Sequence, residues 1–204
     1  MSEVWEFLKQ LTNPESIINY GGLLLLLFVV FAETGLFIGF FLPGDSLLFT
    51  SGLLCGMHIF NTSIFLLIFT LCLAAIIGNM TGFIFGYKAG EALFSKKDSL
   101  IFKQKYLQMT RDFYARHGGK TIIIGRFLPI VRTFAPILAG AIKIDFKKFF
   151  FYNVVGSVLW VFSLTLTGYF LGMKYPHAKN YLGTIVIAMI LVTSIPILKK
   201  AFKK

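Results

Sequence analysis

Four ionisable residues, Glu33, Asp45, Arg126 and Arg132, stand in segments of this 204-residue chain that are otherwise almost wholly apolar. A charge held at bilayer depth is costly, so it pairs with an opposite charge or lines a route for ions or substrate. Arg126 and Arg132 are six residues apart, which on an unbroken helix turns them about 240° away from each other. A break at Pro129 lets the two guanidiniums converge. Glu33 and Asp45 are twelve apart, about 18 Å along a straight helix, and only a reversal at Pro43 and Gly44 brings them together. The spacing predicts a polar cavity holding two carboxylates and two guanidiniums. Guanidinium forks suit phosphate oxygens, half-helix N-termini add partial positive charge, and a desolvated carboxyl is suited to proton exchange. The plainer alternative is that the four charges form buried ion pairs that only hold the segments together.

The elements that must position these residues come in two copies. Ile38-Gly39-Phe40-Phe41-Leu42-Pro43 matches Ile124-Gly125-Arg126-Phe127-Leu128-Pro129 at an offset of 86. The same offset aligns Gly82-Phe83-Ile84-Phe85-Gly86-Tyr87-Lys88 with Gly168-Tyr169-Phe170-Leu171-Gly172-Met173-Lys174. Two separated blocks at one ungapped offset mark a tandem duplication, and apolar segments interrupted at corresponding places point to a transporter's binding site. In the first copy residues 20–42 enter, Pro43 and Gly44 reverse the chain, 46–54 return and 63–88 cross. In the second, 121–128 enter, Pro129 breaks, 130–142 return through a second proline at Pro136, and 149–173 cross. Irregular backbone at membrane depth needs cover from protein or a watery cavity, so Pro43, Gly44, Pro129 and Pro136 predict the breaks of two re-entrant hairpins.

Charge supplies the topology. If each hairpin enters and leaves on one face, the span after it carries the chain across, and the second hairpin is inverted. Residues 88–120, 143–148 and 199–204 then share one side with eight, three and four Lys or Arg, fifteen of the chain's twenty. Positive residues mark the cytoplasmic face. A straight crossing by 20–42 would keep the rest of this tally, so the side of the N-terminus stays open. The expected fold is an all-α polytopic membrane protein, a single domain over 1–204. It comprises repeat 1 (17–90), a cytoplasmic amphipathic linker (91–117), repeat 2 (118–174) and a C-terminal transmembrane helix (181–198), with the C-terminus cytoplasmic.

Composition bounds the class. With 56% hydrophobic residues and a mean hydropathy of +0.77, the chain has too little polar surface for a water-soluble domain of this size. Glu3, Glu6 and Glu15 against Lys9 argue against a cleaved leader. The net charge of +11 sits in membrane-flanking segments, which favours anionic lipid over nucleic acid. Cys55 and Cys72 read as packing residues. His58, His117 and His177 have no metal spacing, so neither a metal nor another cofactor is expected. Gly118-Gly119-Lys120-Thr121 lacks the first glycine of a P-loop. Ser46, Ser51 and Thr133 read as helix caps and Asn79 as an interhelical hydrogen bond. Gly78, Gly82, Gly86 and Gly90 repeat every fourth residue, a packing stripe that serves internal helices or a homodimer equally well.

Phe31-Ala32-Glu33-Thr34, Leu42-Pro43-Gly44-Asp45 and Gly125-Arg126-Phe127-Leu128-Pro129-Ile130-Val131-Arg132-Thr133-Phe134-Ala135-Pro136, with Ala139-Gly140, resemble the DedA family, the bacterial members of the SNARE-associated or VTT domain proteins. The resemblance runs from about residue 17 to 198. It implies a bacterial inner-membrane protein that moves lipid between leaflets, undecaprenyl phosphate or a phospholipid such as phosphatidylethanolamine, in dependence on the proton motive force. It also implies that Glu33 and Asp45 are the required acidic pair and Arg126 and Arg132 the required arginines. Three other readings compete: a proton-coupled antiporter of small cations or solutes, a lipid-phosphate enzyme, and a passive scaffold. No histidine lies in a hydrophobic segment, so catalysis is not expected.

Overall fold

Backbone groups in a long apolar run have no water to bond, so the run closes its hydrogen bonds internally as a helix. The protein, seen here as a computed structural model, holds helices and turns and no strand among the residues it describes. These are 14–36, 42, 44–95, 112, 114, 116 and 118–175. The helices are α1 (Pro14–Gly35), α2 (Gly44–Gly56), α3 (Ile64–Ser95), α4 (Lys120–Gly125), α5 (Pro129–Ala141) and α6 (Phe146–Lys174). Pro43, the amphipathic linker expected over 91–117 apart from 91–95, 112, 114 and 116, and the helix expected over 181–198 lie outside the described residues.

Pro14 opens α1, where a missing backbone donor costs nothing. The same helix kinks at Gly22, whose φ of 55° is one that a side chain would resist. Pro136 lies inside α5, which continues through it to Ala141, because one lost hydrogen bond need not end a helix. Pro129 stands at the start of α5 after an extended Leu128.

Among the described residues two helices are long and apolar enough to cross a membrane, over Ile64–Gly90 and Phe146–Lys174. Large apolar side chains remain outward-facing along them, Phe65 at 83% and Phe170 at 62% exposure. Such a surface suits hydrocarbon and would aggregate in water.

The described residues fall into two compact units. The first takes those up to Val29, Leu42–Leu71 and those from Val161 onward; the second takes Val30 to Leu36 and those from Cys72 to Trp160. In the first unit α2 packs on the C-terminal half of α6. Gly52 and Gly56 meet the backbone of Thr165 and Tyr169, while Gly168 and Gly172 meet that of Phe49 and Leu53. Phe49, Leu53 and Leu54 form the core there, flanked by Met57, Phe60 and Leu171.

In the second unit α5 packs on α3. Gly86 meets the Ile137 backbone, Gly140 that of Phe83, and Gly90 the Ala141 Cα, while Gly78 lies against Phe31 and Thr34 of α1. The glycine stripe is therefore used inside the chain. Its neighbour Asn79 donates to Ala75 O of its own helix at 2.7 Å, so the expected interhelical bond is replaced by an intrahelical one. Phe83, Ile122, Ala139 and Phe149 make the core, with the Phe83 and Phe149 rings stacked at 4.3 Å. Each post-proline arm thus lies on the long helix of the other copy, and the duplicated glycine pairs Gly82/Gly86 and Gly168/Gly172 hold equivalent places.

Candidate functional site

Polar chemistry gathers in the second unit. Glu33, near the end of α1, is 2% exposed, and Arg132, in the first turns of α5, is 4% exposed. Arg132 Nη2 donates to Glu33 Oε1 in a buried ion pair. The Arg132 guanidinium carbon also lies over the Trp160 ring, 4.4 Å from its centroid. Desolvated cation–π contact of this kind adds a second hold on the charge. Taking both ions out of water is expensive, so such a pair is weak support for the fold unless something else uses it.

Arg126 follows α4 as its C-terminal cap and is 3% exposed. Its Nη2 donates to Asn153 Oδ1. Its Nε and Nη1 are buried with no hydrogen-bond partner among the described residues. Asn153, fully buried on α6, donates through Nδ2 to Ile76 O at 3.2 Å. The Gly156 backbone lies against Cδ and Nε of Arg126. The two arginines are near enough for their charges to act on each other. About two turns of α6, carrying Asn153, Gly156 and Trp160, therefore back both guanidiniums.

The chain matches the VTT domain over residues 42–170. Protein DedA of Escherichia coli (strain K12) is 42% identical over 172 residues, 84% of this chain and 78% of that protein. The chain belongs to the DedA family. Inner membrane protein YqjA of the same strain is 33% identical over 185 residues, 90% of this chain and 81% of its own. An uncharacterized membrane protein of Mycobacterium leprae, ML0287, is 36% identical over 190 residues, 93% and 84%. No solved structure matches. The family and the two long apolar helices make this a membrane protein.

In this DedA-family chain, then, three of the four singled-out charges lie in one compact unit. Asp45 is half-buried in the first turn of α2, in the other unit. Of the hydroxyls read as caps, Ser51 donates back to Leu48 O at 2.9 Å within its own helix, where it caps nothing. Asn153 and Trp160 were not foreseen. The signal they left was a faint one: a neutral amide and an indole seven residues apart lie on one face of a helix that carries no charge between Lys148 and Lys174.

Proposed function

We propose that this protein carries a lipid phosphate, undecaprenyl phosphate or a phospholipid, between the leaflets of a bacterial inner membrane, driven by the proton motive force. The observation that carries the reading is Arg126, a buried cation with two nitrogens unpartnered among the described residues, beside the Arg132–Glu33 pair. A structural ion pair alone does not call for a second, unneutralised guanidinium in the same apolar surroundings. In this reading Arg126 and Arg132 hold the headgroup phosphate, as planar forks of donors suit its oxygens. Glu33 exchanges protons, and protonating it releases Arg132 to the phosphate. Asp45 is the second proton-exchanging carboxyl. The acyl or prenyl tail stays in the bilayer.

The same reading takes the breaks before α2 and α5 as the tips of two inverted re-entrant hairpins, with the C-terminus cytoplasmic. It assigns binding and movement, with no covalent step and no cofactor. Purified protein in proteoliposomes, given undecaprenyl phosphate or phosphatidylethanolamine with and without an imposed proton gradient, tests it. Wild-type protein accelerates leaflet exchange of one lipid. Arg126→Ala and Arg132→Lys, the latter keeping charge without the fork, slow that exchange at least about tenfold. Unchanged exchange in both folded variants overturns the reading, and gradient-driven movement of small cations would replace it with an antiporter.

A further inference from the structure

The contacts around Arg126 leave it oriented but not neutralised. Its Nη2 donates to Asn153 Oδ1, and an amide oxygen carries no formal charge. The amide cannot flip. Its Nδ2 donates at 3.2 Å to Ile76 O, a carbonyl that only accepts, so the oxygen must face the arginine. Gly156, one turn further along α6, lies against Cδ and Nε of the same arginine, where a larger residue would displace the head. Arg132, by contrast, has a carboxylate for its partner. One guanidinium of the pair is thus counter-charged from within, and the other is aimed by a neutral group.

We infer that Asn153 is a positioning residue for anion binding, acting through Arg126: it fixes the guanidinium in one orientation while leaving its positive charge to a phosphate-bearing lipid. The inference rests on the reading of Arg126 as a headgroup ligand. A flexible arginine loses side-chain entropy when it binds, and a pre-aimed one loses less. An aspartate at the same place would orient Arg126 equally well but occupy its charge. The choice of amide over carboxylate is what the lipid's own negative charge requires.

A double-mutant cycle tests this. Binding of undecaprenyl phosphate, dioleoyl phosphatidic acid and inorganic phosphate to purified protein is titrated in separate arms, with thermal melting alongside. Asn153→Ala raises the half-saturating concentration about tenfold in the arm that wild type binds. Asn153→Asp, which keeps an oxygen at the same reach and serves if the alanine variant does not fold, raises it at least as much. In an Arg126→Ala background neither substitution changes it further by more than about twofold. If Asn153→Ala leaves affinity unchanged, or weakens it equally without Arg126, the positioning role is wrong while the headgroup reading stands. If Arg126→Ala itself has no effect, or wild type binds in no arm, the headgroup reading falls and this inference with it.

Discussion

Glu33 and Arg132 illustrate how unequal the two halves of a buried pair are. Arg132→Ala strands a carboxylate in an apolar site and is expected to destabilise the protein by about 3–5 kcal/mol. Glu33→Gln keeps an oxygen to accept from Arg132, and the Trp160 face 4.4 Å away still holds the cation, so its cost is expected to be smaller. Denaturation in bicelles compares the two; an equal or larger loss for Glu33→Gln would refute this ranking. At this scale the charged members of the site were legible in the sequence because charge in an apolar segment is conspicuous. Asn153 and Trp160 were not, since a neutral amide or an indole in a long apolar helix is ordinary until a partner is known. Asn79 shows the same limit in reverse: its chemistry was plain, but whether it would reach a neighbour or its own helix depended on packing.

At the scale of elements, bare glycine backbones decide which helices meet. Gly86 and Gly172 each face a backbone carbonyl across an interface, that of Ile137 and of Leu53 respectively. Gly86→Val and Gly172→Val are therefore expected to prise apart α3 from α5 and α2 from α6, with loss of monodisperse protein in size-exclusion chromatography. Ile84→Ala, at an exposed position on α3, leaves the profile unchanged. Wild-type behaviour of either glycine variant would count against these contacts. Tyr114 offers a pH test outside the membrane-spanning helices. It packs against the cluster of Phe83, Ile122, Ala139 and Phe149, and burial first, then Tyr152 and Asp145, raises its phenol above the ordinary value. A raised folded pKa means stability that is present below the unfolded pKa of about 10 and lost as pH climbs through the folded one. Tyr114→Phe is expected to extend the stable range at alkaline pH, read by melting between pH 8 and about 11; an unchanged alkaline limb refutes it. The long helices were readable from uncharged length alone. The end of α1 at Gly35 and the run of α5 through Pro136 were not, because local breakers yield to tertiary packing.

For the whole molecule, the duplicated blocks and the charge tally predict opposite orientations for the two copies. Single cysteines placed at His58 and Lys147, in a Cys55→Ser, Cys72→Ser background, should label with an impermeant thiol reagent from opposite sides of the cell membrane, the latter only after permeabilisation. Labelling from one side would end the inverted account. What the sequence could not convey is the exchange of partners between copies, since an offset of 86 reports likeness and says nothing of who packs on whom. That exchange has a bearing on biosynthesis. Gly52 meets Thr165, 113 positions downstream, so a nascent chain leaves the ribosome with its first arm fully made and its permanent neighbour still untranslated. Contacts so distant in sequence form slowly, and in the interval the insertion machinery or a chaperone must shield that helix. Stalled nascent chains ending before residue 165 should therefore remain crosslinked to the translocon through α2, and chains carried beyond 175 should let it go.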